Sequence, residues 1–319
     1  TTPKETWKLN MANFKLQVLY AMLFLLIYLV SLMGNLLIFT LISLDEHLQS
    51  PMYFFLKNLS FLDLCFISTT LPKSITNSLS HSHSISFTGC VLQFFLVISF
   101  AASELFLLTM MSYDRYVAIC QPLHYEVIMI RETCVKMAIV SWLSGGLFGT
   151  LYSASTFTLS FCRFKEIHQF FCDFPSLFKL SCSNIHIGVD VTLAIGVTLG
   201  ILCFISIATS YGPIFSTVLK IPTTEGKSKA FSTCLPHLIV LIVFITTGVI
   251  AYLKPPKESD SVLDLSLSLF YTVVPPTLNP VIYSLRNKEI KNALMKLITW
   301  KYFSKELIAN SLCSLFAVL

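Results

Sequence analysis

Charge is what this 319-residue sequence has little of: 17 acidic and 22 basic residues make up 12% of it. A soluble domain carries about a quarter. That scarcity excludes an ordinary water-soluble globule, and it overrides the two-domain reading that length alone would give. The formal charge of +5 comes without a basic stripe or an aromatic-interleaved basic patch, so nucleic acid is not an expected partner. Signatures of catalysis are lacking too. There is no Ser/His/Asp set with a local signature, no Gly-rich phosphate loop and no catalytic carboxylate pair, so an enzyme is not expected. No cleavable secretory signal is evident, because the first apolar run is too long for an h-region. No Asn-x-Ser/Thr sequon precedes that run; the one match is Asn58-Leu59-Ser60. The first residue is Thr1 rather than methionine, so a longer parent chain or a divergent leader is the expectation.

What is there is apolar. Hydrophobic residues make up 55% of the chain and the mean hydropathy is +0.74. Seven runs reach the roughly 20 residues needed to cross a hydrocarbon core. They cover about Val18–Ile42, Met52–Ile75, Cys90–Cys120, Cys134–Tyr152, Val191–Leu219, Phe231–Leu253 and Val262–Leu285. The expected fold is an all-α membrane protein, a seven-transmembrane helix bundle. Its expected parts are an extracellular N-terminus over 1–17, the membrane domain over 18–285, and a cytosolic amphipathic helix and tail over 286–319. Lys57, Arg115, Arg131, Lys136, Lys220, Lys227, Lys229 and the cluster Arg286, Lys288, Lys291 and Lys296 fall on one side. The positive-inside rule then places the carboxyl terminus in the cytosol. The expected location is the plasma membrane, multi-pass, with membrane lipid as a partner.

Cysteine placement agrees. Cys162, Cys172 and Cys182 are evenly spaced in the polar loop after the fourth run, and Cys90 opens the third. Four cysteines on one face point to two bridges in an oxidising space, with the pairing left open. The nine-residue gaps do not fit a structural zinc site. His81, His83, His168 and His186 are loop histidines, expected to be solvated rather than metal-bound.

Two ionisable groups stand alone at mid-span, Asp63 in the second run and Glu104 in the third. Such groups are costly in a bilayer and mark functional positions. Neighbouring carboxylates do not both ionise cheaply unless a cation or proton lies between them; the plainer reading is a neutral hydrogen-bonded pair holding helices together. Asp114 and Arg115 sit side by side where the third run meets the interface. Beyond Asn287, Ile290, Leu294, Leu297 and Ile298 share one face of a short helix suited to the inner leaflet.

Six strings in order now carry a resemblance. They are Gly34-Asn35; Pro51-Met-Tyr-Phe-Phe-Leu56 with Leu59-Ser-Phe-Leu-Asp63; Met111-Ser-Tyr-Asp-Arg-Tyr-Val-Ala-Ile-Cys120 with Pro122-Leu-His-Tyr125; Ser210-Tyr211; Lys229-Ala-Phe-Ser-Thr-Cys-Leu-Pro-His237; and Pro275-Pro-Thr-Leu-Asn-Pro-Val-Ile-Tyr-Ser-Leu-Arg-Asn287. The chain resembles the odorant receptors of the rhodopsin-like G-protein-coupled class, in their tetrapod-type (class II) branch, over about residues 18 to 298. The resemblance implies bridges Cys90–Cys172 and Cys162–Cys182, and a sodium ion or proton at Asp63 and Glu104, with no other cofactor. It implies an activation switch of Asp114, Arg115, Tyr116, Tyr211, Asn279, Pro280 and Tyr283, in which Arg115 leaves Asp114 to meet a G protein. The implied ligand cavity lies in the outer half of the bundle. Its lining would be Val97, Ile98, Ala101 and Ala102; Ile195, Gly196 and Leu199; Ile245, Gly248, Val249 and Tyr252; and Leu269 and Thr272. These positions carry no charge, so a small, neutral, volatile odorant is expected, with Tyr252 or Thr272 offering a hydrogen bond. The implied output is a stimulatory, olfactory-type heterotrimeric G protein that raises cyclic AMP. The sequence departs from the family at Phe244-Ile245-Thr246, where Phe-Tyr-Gly is usual, and in its apolar tail over 301–319. A secondary transporter using Asp63 and Glu104 would show inverted repeats, which are not seen. A related receptor for an endogenous ligand would share these motifs.

Overall fold

The computed structural model describes residues 3–79, 85–159, 161, 172, 177, 187–253, 262–287 and 289–296. Where no water is available, backbone donors and acceptors must be satisfied within the segment, so these apolar runs form helices. Seven long ones follow in order: α1 (Pro3–Leu44), α2 (Pro51–Leu79), α3 (Phe87–Cys120), α4 (Arg131–Phe157), α5 (Ile187–Lys220), α6 (Thr224–Leu253) and α7 (Val262–Arg286). Among the described residues, six are long and apolar enough to cross a membrane by length and composition: Gln17–Leu44 of α1, α2 to α5, and Thr224–Gly248 of α6. The seventh, α7, carries Pro275, Pro276 and Pro280 and packs against α1, α2 and α6. The helices overrun the apolar runs read from sequence. Helix α3 begins at Phe87, where the Ser86 hydroxyl accepts from the Gly89 N–H at 3.2 Å. Helix α4 extends from Arg131 to Phe157.

The bundle is apolar outside, and its mainly apolar core also holds buried polar groups. Leu19, Met22 and Leu26 on α1, Leu143 and Leu147 on α4, and Leu202 and Ile205 on α5 are exposed. On a bilayer-embedded bundle that face meets acyl chains rather than water. Asn35, Asp63, Ser103, Glu104, Ser112 and Asp114 are buried instead. Many buried hydroxyls return to the helix that bears them, as Ser74 and Ser78 do to the carbonyls of Thr70 and Ser74. That satisfies the polar atom without a partner helix.

Helix α3 is the central strut, touching α2, α4, α5 and α6. Its approach to α4 is closest at Gly145 and Gly149, which lie over Ser103 and Ser99. Small residues on both helices permit this spacing where lipid offers no hydrophobic drive. After α7, residues 289–296 are helical. Asn287 Oδ1 accepts from the N–H groups of Glu289 and Ile290 at 2.9 and 3.2 Å. Tyr53 donates to Asn287 at 3.1 Å and to Glu289, so the base of α2 fastens this last helix. Ile290 and Ala293 are buried and Leu294 is half-buried. Leu297 and Ile298 lie outside the described residues.

Candidate functional site

Three stations lie along the bundle, joined by α3. The first is a cavity of about 590 Å³ at the disulfide end. Val97, Ile98, Ala101, Ala102, Gly196, Leu199, Ile245 and Gly248 line it. Ile195 does not. Leu193, Gly196, Gly200, Phe204 and Ile207 form the stripe of α5 that faces inward. At 3.6 residues per turn, Ile195 falls roughly opposite that stripe, and it is 40% exposed. Thr272 is buried in α7 but does not line the cavity. The side chains of Val249, Tyr252 and Leu269 lie outside the described residues.

Sequence reasoning missed the aromatic wall. Phe94 on α3 and Phe148 and Tyr152 on α4 line the cavity. Tyr152 stacks between the other two, with ring centroids 5.7 Å from Phe94 and 5.8 Å from Phe148. The lining is also not free of charge, because Glu104 reaches it. Cys172 lines the cavity too and is bonded to Cys90, with Cα atoms 5.4 Å apart. Cys162 and Cys182 lie outside the described residues.

The second station is a polar knot below the cavity. Asn279 of α7 donates its amide to Asp63 Oδ2 at 3.0 Å, Asp63 Oδ1 at 3.3 Å and Glu104 Oε1 at 3.2 Å. One NH₂ group thereby serves two carboxylates from α2 and α3. Both carboxylates are buried, at 0% and 2% exposure. Among the described residues the buried Asn279 Oδ1 atom has no hydrogen-bond partner. Asn35 does not join the knot; its amide donates to the carbonyls of Ser31 at 3.1 Å and Pro276 at 2.9 Å. Those carbonyls belong to α1 and α7, so Asn35 clips these helices together. Glu104 thus belongs to both knot and cavity.

The third station is the far end of α3. Arg115 donates from Nε to Asp114 Oδ2 at 2.9 Å and from a second guanidinium nitrogen to the same oxygen. The other Asp114 oxygen accepts from the Tyr125 hydroxyl at 2.8 Å. Tyr125 stands in the short helix Tyr125–Ile128, and its phenol is pushed up first by burial and then by the Asp114 charge. It therefore stays protonated and donating at neutral pH. Tyr116 sits at the rim, where it accepts from the Gln121 amide at 3.3 Å.

Tyr211 of α5 lies 2.6 Å from His237 Nδ1, and His237 Nε2 lies 3.0 Å from the Leu108 carbonyl. A carbonyl only accepts, so Nε2 carries the imidazole proton and Tyr211 donates to Nδ1. His237 is fully buried and ties α3, α5 and α6 in one chain of bonds. The sequence placed His237 in a motif without giving it a role; a lone titratable group inside an apolar run was the available signal. Tyr283 of α7 is buried, and among the described residues its hydroxyl has no hydrogen-bond partner. Pro280 lies inside α7 four residues after Pro276, where missing amides free the helix to bend.

Comparison with known proteins agrees across sequence and fold. Residues 24–301 match the family model described as olfactory receptor. Human olfactory receptor 14A16 is 59% identical over 293 residues, covering 92% of this chain and 94% of the relative. Olfactory receptor 1G1 of Gorilla gorilla gorilla is 48% identical over 275 residues, covering 86% and 88%. Among solved structures, the crystal structure of squid rhodopsin superposes with a TM-score of 0.70 at 15% identity, covering 90% of this chain and 86% of that one.

Proposed function

The chain belongs to the olfactory receptor family, and from that premise we propose that it senses a small, neutral, volatile molecule and raises cyclic AMP through a stimulatory G protein. It is an odorant receptor of the rhodopsin-like class, not an enzyme. The observation that carries the ligand class is the cavity: about 590 Å³, walled by aliphatic and aromatic side chains, with Glu104 as the one charged group among the described residues. Volumes of this order suit a ligand held by burial, with few polar anchors. Glu104 is engaged by Asn279, which favours a neutral ligand over an ionic one.

Orientation follows from chemistry. The Cys90–Cys172 bridge belongs to an oxidising exterior, and the basic residues gather at the other end. The amino terminus is therefore extracellular and the carboxyl terminus cytosolic. Activation is a population shift between two packings. In the resting packing Arg115 is held by Asp114 and Tyr211 by His237. Ligand burial against α6 and α7 favours a packing in which α7 bends at Pro280, both tethers open, and Tyr211 and Tyr283 turn toward the freed Arg115. The exposed guanidinium then meets the G protein.

A cyclic AMP reporter in cells, screened against a panel of neutral odorants, tests this. At matched surface expression, Arg115→Ala is expected to lose at least about tenfold in maximal response, the scale of one charge-assisted contact. An equal response from the variant would sink the mechanism.

The polar knot is proposed to take up sodium or a proton in the resting state. Two buried carboxylates and the unpartnered Asn279 oxygen supply the hard oxygen donors such a cation prefers. Replacing sodium with N-methylglucamine is expected to lower the melting temperature of the unliganded receptor, as removal of any native-state ligand does. Asp63→Asn should abolish that difference. A wild-type melting temperature indifferent to sodium from pH 6 to 8 would leave only the hydrogen-bonded pair.

A further inference from the structure

A second cavity, of about 690 Å³, opens between α1, α2 and α4 toward the Asp114 end of the bundle. Its walls include Phe39 and Phe61, and its polar groups are Lys57, Arg131, Gln49, Asn58 and Ser43. Among the described residues no carboxylate lines it. Lys57 is half-buried, with Nζ 4.9 Å from the centre of the Phe39 ring. Among the described residues neither Lys57 nor Arg131 enters an ion pair. The acid beside Arg131 in sequence, Glu132, is taken by Lys136 at 2.7 Å. A lysine at a membrane boundary ordinarily snorkels toward water with its charge solvated. Here its charge rests against an aromatic ring while a second cation shares the same cleft. The cleft therefore gathers two positive charges that no carboxylate among the described residues pairs with. Phe61 is 46% exposed beside it and stacks on Trp142 with centroids 5.9 Å apart. An apolar track thus leads from the charged pair along the bundle surface.

We propose that this cleft binds one anionic glycerophospholipid of the cytosolic leaflet. The phosphate and its charged headgroup meet Lys57 and Arg131, and an acyl chain lies along Phe39 and Phe61. Gln49 supplies a further donor at the headgroup, which distinguishes the site from bare charge attraction. The site is separate from the odorant cavity. The inference rests on the proposed orientation, because a phosphatidylserine- or phosphoinositide-rich surface exists only on the cytosolic side.

The test uses the full-length receptor in symmetric nanodiscs of phosphatidylcholine containing phosphatidylserine. Lipid retained after detergent extraction is counted by native mass spectrometry. Wild-type receptor is expected to retain phosphatidylserine over phosphatidylcholine. Lys57→Gln with Arg131→Gln should cut that retention roughly tenfold or more, the scale for two cations at an anionic headgroup. Lys136→Gln, whose charge is already paired, should leave it unchanged. Equal retention of the two lipids by wild type overturns the proposal without any variant, so a poorly folding double variant does not rescue it. Retention of a sterol in place of phospholipid, or equal loss with Lys136→Gln, overturns it as well. Epitope tags at each terminus, read in intact cells, report orientation separately. An inverted receptor would refute the orientation while symmetric nanodiscs still report the cleft.

Discussion

Gly145→Ala is expected to keep the receptor from the cell surface, while Gly146→Ala one residue away leaves delivery intact or improves it. A Cβ at position 145 would stand 2.0 Å from Ser103 Oγ and 2.7 Å from both the Ser103 nitrogen and the Ser99 carbonyl oxygen. The serine hydroxyl can rotate aside. The backbone of α3 cannot, so the helices must separate along their whole contact. Gly149 repeats the fit one turn on, with Ser99 Oγ 2.0 Å from its would-be Cβ. Overpacking of this kind costs roughly 1–3 kcal/mol and sometimes more. The upper part of that range lowers the folded-to-unfolded ratio roughly 30- to 150-fold. At Gly146 nothing lies within 4 Å, and alanine is the better helix former by about 1 kcal/mol. Flow cytometry of surface receptor, with the melting temperature of purified protein, separates the two. Matching behaviour at 145 and 146 would mean α3 and α4 do not meet as described.

That pair also shows where the sequence stops being readable. Gly145 and Gly146 are adjacent and chemically identical, and only the helix phase relative to α3 tells them apart. Burial of a whole run in lipid removes the polar-against-apolar stripe that marks helix phase in a soluble bundle. The same loss hides Ile195, which looks as suitable for the cavity as Gly196 but turns to the lipid face. Groups that are costly in a bilayer remain legible for the opposite reason. Asp63, Glu104, Asp114, Arg115 and Asn279 announce themselves by charge or polarity alone, and the structure gathers them into two clusters along α3. Their partners were less visible. Asn35 is as polar as Asn279 and likewise sits inside an apolar run, yet its amide satisfies backbone carbonyls instead of the carboxylates. The Tyr211–His237 tie joins residues 26 apart on different helices, a proximity no local pattern encodes. Tyr125 holds Asp114 from eleven residues away, because the chain turns back sharply at Pro122 into the short helix that bears it.

The other large effect is expected at the opposite end of α3. Cys90→Ser, Cys172→Ser and the double variant should each lose surface delivery to about the same low level. The bridge closes a separation of 82 residues, and the loop-closure entropy of such a length corresponds to about 4–5 kcal/mol. Among the described residues two neutral hydrogen bonds reinforce it nearby. The Cys172 N–H donates to Gln93 Oε1 at 2.9 Å, and the Gln93 amide donates to the Thr69 carbonyl at 2.9 Å. At about 1 kcal/mol each, these two do not make up for the covalent tie once it is cut. Because both cysteines act through one bond, their losses must be non-additive: removing the second costs little after the first. Additive losses would show that each sulfur matters for its own packing. Recovery of wild-type delivery in the double variant would assign the single-variant defect to a stray thiol and remove the bridge from the folding argument. Cys172 also lines the odorant cavity, so receptor that does reach the surface should respond only at higher odorant concentration. A bridge that served folding alone would leave the concentration for half-maximal response where it was, which makes dose–response curves on the surviving population the discriminating measurement.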